Sequence, residues 1–128
     1  ANLIYGSYDA RLTPSAIRQE GSDEIFLLSY AMIRKFRDSY FQGDVDKSLP
    51  DVSPIQGDLR GMPPALFTVG TRDLLLDDSL FMYGRWLSYG SNAEIVIVPG
   101  ADHAFNAFPS ETTTSVENKI SEFVKSVL

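Results

Sequence analysis

The sequence contains no cysteine and a single histidine among its 128 residues. Without cysteine there is neither a disulfide framework nor thiolate chemistry, and one histidine alone cannot form the usual soft-metal clusters. Any catalysis by an imidazole therefore rests on His103.

Basic residues are also scarce, since 11 Lys and Arg stand against 17 Asp and Glu, for a net charge of -6. Nucleic acids and anionic membrane surfaces require a basic stripe, so we exclude both as partners and expect a small neutral or apolar ligand. No segment approaches the roughly 18 continuous apolar residues of a membrane span. We expect a soluble protein and favour the cytoplasm as its compartment.

An initiator methionine and a signal-like basic segment are missing from the start of the chain, and residues 1–6 read like a strand from the middle of a sheet. The length suits one domain, and 44% apolar residues can form a core. We expect the 128 residues to be the C-terminal part of a longer domain. The missing N-terminal segment of that domain is then the partner with which this chain completes the fold.

Apolar runs alternate with one-faced segments along most of the chain. Strands are predicted at 3–6, 65–69 and 94–98, and helices at 29–41, 79–87 and 113–127. In the helix at 79–87 the expected apolar stripe consists of Leu80, Tyr83, Gly84 and Leu87. Apolar strands alternating with amphipathic helices predict an α/β fold with a parallel sheet covered on both faces.

The helix at 29–41 has an unusually aromatic apolar face. Ser29 is a suitable N-cap, and Met32, Ile33, Phe36 and Tyr40 recur at helical spacing. We expect this face to point inward.

Asp73 and His103 each follow a predicted strand, thirty residues apart. Side chains at the carboxyl ends of parallel strands project into the crevice that α/β enzymes use. There a carboxylate can fix the tautomer of an imidazole, which takes a proton from a nucleophile. Each residue also has a structural alternative, because such an aspartate is often a turn residue and a lone histidine is often packed in the core.

Three further acids lie close to this pair. Asp77 and Asp78 are expected at the start of a helix, where carboxylates accept hydrogen bonds from free amides and complement the dipole. Asp102 is adjacent to His103 and is expected to point elsewhere.

Three motifs in this order resemble the C-terminal part of the hormone-sensitive-lipase-like esterases and lipases of the α/β-hydrolase fold. They are Asp58-Leu59-Arg60-Gly61-Met62-Pro63-Pro64-Ala65, Asp73-Leu74-Leu75-Leu76-Asp77-Asp78 and His103-Ala104-Phe105. The resemblance spans nearly the whole chain and implies that Asp73 and His103 are the acid and base of a Ser-His-Asp triad. It implies a small ester substrate and neither a metal nor an organic cofactor.

The chain departs from this family at two positions of its motifs. Leu74 stands where the family has proline, and Ala104 replaces the glycine of a His-Gly-Phe motif. These changes affect loop geometry and remove no reacting group.

The resemblance also implies a helical cap formed by residues 10–48. Residues that contact the substrate are then expected to be Met32, Phe36, Tyr40 and Phe105. A methionine and aromatic lining suits an apolar acyl group. The alternative is that these side chains only pack the cap onto the body.

No serine lies in the Gly-x-Ser-x-Gly turn that carries the nucleophile in this family. Ser7, Ser22, Ser79 and Ser91 read as turn or cap residues. The leading hypothesis is therefore an ester hydrolase whose serine and oxyanion hole lie outside this chain, which alone is expected to be inactive. The alternatives are a receptor-like binding protein of the same fold and an independently stable fragment with an interaction role.

Overall fold

The computed structural model describes residues 1–21 and 27–128, so Ser22 lies outside the described residues. Within them, three parallel strands form a sheet in the order β1 (Asn2–Ile4), β2 (Ala65–Gly70) and β3 (Ala93–Val98). Leu3 pairs with Phe67, and Phe67 pairs with Ile95. The predicted parallel α/β fold is confirmed.

Four α-helices occur in the described part of the chain: α1 (Pro14–Ile17), α2 (Tyr30–Tyr40), α3 (Leu76–Ser88) and α4 (Glu111–Val127). Short 3-10 turns lie at Pro54–Gln56 and Phe105–Ala107. The one-turn helix α1 was not predicted, because four residues are too few for a periodic pattern. None of the helices described is both long and apolar enough to cross a membrane.

The main core forms around β2, in which every residue is buried. The Phe67 ring meets Trp86 edge-on at 5.6 Å between centroids, and it meets Tyr83 and Tyr8 in similar T-shaped contacts. Such aromatic pairs stabilise a core beyond the area they bury.

The stripe predicted for the helix at 79–87 is only partly correct, because Tyr83 packs against the core but Gly84 and Leu87 do not. Met82 and Trp86 are the buried apolar residues of α3, whereas Leu87 is 44% exposed and Gly84 lies at the surface. An indole buries more apolar area than a leucine, and the Trp86 Nε1–H donates to the Pro63 carbonyl at 2.9 Å. The tryptophan therefore sets which face of the helix turns inward.

A second apolar cluster joins α1 and α2 to the loop after β2. The Ser29 hydroxyl accepts from the Met32 amide at 3.3 Å, which confirms the predicted N-cap. Ile33 is the buried residue of α2, and it packs with Leu74, Leu75 and Ala16. The predicted inward face therefore enters the core only through Ile33, and the prediction is wrong for Met32, Phe36 and Tyr40, whose side chains are exposed. Both helices lie within 10–48, whose role as a cap stays a prediction.

Candidate active site

Asp73 lies in the turn that follows β2, and its carboxylate is buried, with the residue only 2% exposed. The Asp73 amide donates to the Gly70 carbonyl at 3.2 Å, and Oδ1 accepts from the Leu75 amide at 2.8 Å. A buried carboxylate requires such donors, since an unpaired one is costly to desolvate. These bonds fix the direction in which Oδ2 points.

The second carboxylate oxygen of Asp73 contacts the lone histidine. Nδ1 of His103 lies 2.9 Å from Oδ2. An ionised carboxylate only accepts hydrogen bonds, so this contact favours the tautomer in which Nδ1 donates to Asp73 and Nε2 of the neutral imidazole keeps its lone pair. The imidazole is about one quarter exposed and faces a cavity. This arrangement can accept a proton at Nε2 and stabilise the resulting positive charge.

Backbone hydrogen bonds hold the two loops that carry this pair together. The Thr71 amide donates to the Val98 carbonyl and the Arg72 amide to the Ala101 carbonyl, both at 3.0 Å. The Thr71 hydroxyl accepts from the Gly100 amide at 2.8 Å. The spacing between Asp73 and His103 is therefore set by the backbone as well as by their own contact.

Ala104, the residue after the histidine, adopts a left-handed conformation with φ 58° and ψ 25°. Glycine adopts this region without a steric penalty, whereas alanine does not. This conformation explains why glycine is favoured after the histidine. In this chain the same turn is formed with alanine at that position.

Asp102 points away from the imidazole. Its Oδ1 accepts from the Arg72 guanidinium at 3.0 Å, in a pair that is roughly half exposed. The expectation that Asp102 points elsewhere is confirmed.

Tyr5 belongs to this site although the sequence reasoning missed it. Its ring lies 4.5 Å from the His103 ring between centroids, and its hydroxyl donates to Oδ1 of Asn106 at 2.6 Å. Burial, and next the charge of Asp73, raise the pKa of Tyr5. The available signal was positional, because Tyr5 directly follows β1 as Asp73 and His103 follow β2 and β3.

Asp77 and Asp78 lie in the first turn of α3, as expected, but they bind a different partner. Asp78 is 1% exposed and accepts from the Tyr8 amide at 2.7 Å, the Asp9 amide at 3.0 Å and the Thr13 hydroxyl at 2.7 Å. Asp77 accepts from the Ser15 amide at 2.7 Å. The prediction that they satisfy the helix's own amides is therefore wrong, since these acids fasten the segment at 8–15 to α3.

A cavity of about 790 Å³ opens beside His103. Phe36 and Tyr40 of α2 line it, together with Tyr8. Met32 is not part of this lining, and Phe105 instead packs edge-on against Tyr5 at 6.4 Å. The structure thus brings together two of the four residues expected to contact the substrate. Within the described ranges, no three acidic or histidine side chains are grouped so that they could hold a metal ion.

Comparison with known proteins shows to which family the chain belongs. A sequence model of the alpha/beta hydrolase fold matches residues 1–107. A hyperthermophilic esterase from the archaeon Pyrobaculum calidifontis superimposes with a TM-score of 0.88 at 27% identity, covering 99% of this chain and 43% of that protein. A hormone-sensitive lipase from a metagenome library gives a TM-score of 0.84 at 25% identity, covering 99% of this chain and 44% of that protein.

Two curated relatives match shorter segments. An esterase of Acinetobacter venetianus is 37% identical over 71 residues, which are 56% of this chain and 23% of that protein. An acetyl-hydrolase of Streptomyces hygroscopicus is 42% identical over 53 residues, 41% of this chain and 17% of that protein. The chain spans less than half the length of the matched structures. It belongs to the α/β-hydrolase family, with hormone-sensitive-lipase-like esterases among its structural neighbours, and the resemblance is confirmed.

Proposed function

We propose that this chain supplies the acid and the base of a serine carboxylic ester hydrolase. The observation that carries the proposal is the 2.9 Å contact between a buried Asp73 carboxylate and Nδ1 of His103, at the mouth of a cavity. The names of the relatives, esterase and acetyl-hydrolase, support the same chemistry.

The reaction then follows from the orientation of the imidazole. Nε2 of His103 takes the proton from a serine hydroxyl as its oxygen attacks the ester carbonyl, and the same nitrogen returns the proton to the leaving alcohol. Asp73 stabilises the imidazolium formed between these steps. Water repeats the sequence on the acyl-enzyme and releases the acid.

The serine and the oxyanion hole are proposed to come from a preceding segment of the same fold. Among the residues the structure describes, no serine hydroxyl is hydrogen-bonded to the imidazole, whose partner is Asp73. The cavity between His103 and α2 receives the substrate, and its Phe36 and Tyr40 side chains favour an apolar group over a charged one. Met32 and Phe105 remain proposed substrate contacts that require movement of α2 or of the loop after β3.

The test uses the complete protein in which this chain occurs and p-nitrophenyl butyrate as substrate. We expect His103→Ala and Asp73→Asn each to lower kcat by roughly 10³- to 10⁴-fold, because the base or its correct tautomer is lost. Asp102→Asn is the matched control, since that carboxylate pairs with Arg72, and its kcat is expected to stay within about threefold. Undiminished turnover by His103→Ala would refute the assignment.

The 128 residues expressed alone provide a second measurement. Without a nucleophile aligned on Nε2, we expect neither ester turnover nor labelling by a fluorophosphonate probe. In the complete protein the probe should label a serine outside this chain. A label on Ser7 or another serine of this chain would contradict the proposed division, and a wild-type protein that binds apolar ligands without turnover would favour the receptor-like alternative.

A further inference from the structure

The His103 imidazole lies against the ring of Tyr5 in a tilted arrangement. The centroids lie 4.5 Å apart and the ring planes are inclined by 59°. Tyr5 directly follows β1, so residues after all three strands meet at this point: the acid after β2, the imidazole after β3 and the tyrosine after β1. The contact therefore links the dyad to a strand that carries neither of its members.

A single hydrogen bond does not fix an imidazole. The bond from Nδ1 to Asp73 determines the distance, but the ring can still tilt about the line joining these two atoms, and Nε2 moves with it. A second contact on the imidazole ring restricts this freedom. Tyr5 is in position to provide it.

Tyr5 is itself held from three sides. Its amide donates to the Thr68 carbonyl at 2.7 Å, and its hydroxyl donates to Oδ1 of Asn106 at 2.6 Å. The ring of Phe105 packs against it edge-on at 6.4 Å. Asn106 and Phe105 belong to the turn that follows His103, so the tyrosine fastens this turn to the end of β1.

The backbone of Tyr5 is strained. Its φ is +35°, a value that a residue with a bulky side chain rarely adopts and that persists only where surrounding contacts hold it. Backbone strain of this kind is concentrated at functional sites, where a side chain must be held in one orientation. Here the strained residue places its side chain in contact with the imidazole.

We propose that Tyr5 is a positioning residue that holds the His103 ring so that Nε2 faces the nucleophile. This rests on the proposed function for its kinetic consequence, although the ring contact itself does not. The phenol stays neutral at working pH, because burial and the Asp73 charge raise its pKa.

The kinetic test compares two substitutions in the complete protein. Tyr5→Leu removes the ring, and we expect kcat for p-nitrophenyl butyrate to fall about 10- to 100-fold with KM within about twofold, as for a small misplacement of a catalytic group. Tyr5→Phe keeps the ring and loses the bond to Asn106. We expect its kcat to remain within about threefold of the wild type.

Tyr83→Leu is the matched control for loss of an aromatic ring. Tyr83 also contacts Phe67 edge-on, at 6.1 Å, but it lies on α3 away from the imidazole. We expect its unfolding temperature to drop with kcat unchanged. Equal losses of kcat in Tyr5→Leu and Tyr83→Leu, or in Tyr5→Leu and Tyr5→Phe, would overturn the proposal.

Nitrogen NMR of the imidazole gives a readout that does not depend on ester hydrolysis. With ring-¹⁵N histidine in the complete protein, the His103 signals are identified by their absence from His103→Ala. We expect the tautomer protonated at Nδ1 in the wild type and in Tyr5→Phe, and a mixed or mobile ring in Tyr5→Leu. Unchanged signals in Tyr5→Leu would overturn the proposal, whereas a wild-type protein that shows the contact but no turnover would refute only the esterase assignment.

Discussion

A β-carbon added at Gly70 would lie 2.1 Å from the carbonyl oxygen of Ala101. Backbone hydrogen bonds of the two residues after Gly70 already join the loop that carries Asp73 to the loop that carries His103. The Thr71 amide donates to Val98 and the Arg72 amide to Ala101. The glycine at the end of β2 is therefore a requirement of the site rather than of the sheet.

Gly70→Ala is expected to push these loops apart. The clash is with backbone, which cannot rotate away as a side chain does, so we expect a loss of about 1–3 kcal/mol in the free energy of unfolding. The bond between Asp73 and His103 should lengthen, and kcat of the complete protein should fall by roughly 100-fold. Urea unfolding and ester turnover measure the two effects.

Gly84→Ala is the control for this substitution. Gly84 lies within α3, and nothing occupies the space that its β-carbon would fill. Alanine favours a helix by about 0.5–1 kcal/mol over glycine, so this variant should be more stable with kcat unchanged. A Gly70→Ala protein as stable and active as Gly84→Ala would contradict the close approach.

Ala104→Gly is expected to stabilise the protein. The left-handed conformation of Ala104 costs about 1–2 kcal/mol in an L-residue, and glycine escapes this cost while losing about 0.5–1 kcal/mol to chain entropy. A net gain of up to about 1.5 kcal/mol in the free energy of unfolding should result, with kcat kept. Ala31→Gly, at an exposed position of α2, is the matched comparison and should destabilise by about 1 kcal/mol. Parallel losses in both variants would contradict the reason given for this turn.

The dyad could be predicted because its geometry follows from a general rule about parallel sheets. Asp73 and His103 follow two apolar runs of the sequence, and strands of one parallel sheet direct their ends to one edge. The runs themselves are continuous because both faces of the sheet are covered. The parallel sheet and the position of the dyad were therefore predicted from the same pattern.

The contacts of Tyr5 and Asp78 could not be predicted in this way. The ring of Tyr5 meets His103 only because β1 is in register with β2 and the turn at Asn106 folds back, and no local pattern encodes either fact. Asp78 reads as a helix cap because its distant donors, Tyr8 and Thr13, are about seventy residues away in sequence. Long-range polar contacts leave no periodicity to detect.

Phe36→Ala is expected to reduce the preference for longer acyl chains. The ring lines the cavity beside His103, so its loss removes apolar contact that grows with acyl length. We expect kcat/KM for p-nitrophenyl hexanoate to fall about fivefold to tenfold, with a smaller change for the acetate ester. Met32→Ala on the same helix tests the other proposed contact, and a smaller change is expected because Met32 is absent from this lining unless α2 moves. A shift in chain-length preference for Met32→Ala alone would place the acyl group on the other side of α2.

The contribution of Asp78 to the free energy of unfolding should be larger at acidic pH than at neutral pH. Burial raises the pKa of this carboxyl above its usual value, although its bonds from Thr13, Tyr8 and Asp9 oppose the shift. A raised pKa means that the folded state binds the proton more tightly than the unfolded chain does. The contribution of Asp78 is therefore complete below the unfolded value and declines as the pH rises through the folded pKa.

Asp78→Asn isolates this component, because the amide cannot titrate while its oxygen can still accept from the Tyr8 and Asp9 amides. Neighbouring Asp9 has a lowered pKa through Arg11 and therefore acts in the opposite direction, but it is present in both proteins. Urea unfolding at pH 7 and at pH 4.5 should show that the wild type gains stability relative to Asp78→Asn on acidification. A difference between the two proteins that stays constant with pH would mean that Asp78 keeps its ordinary pKa and that its bonds, rather than its burial, decide its charge.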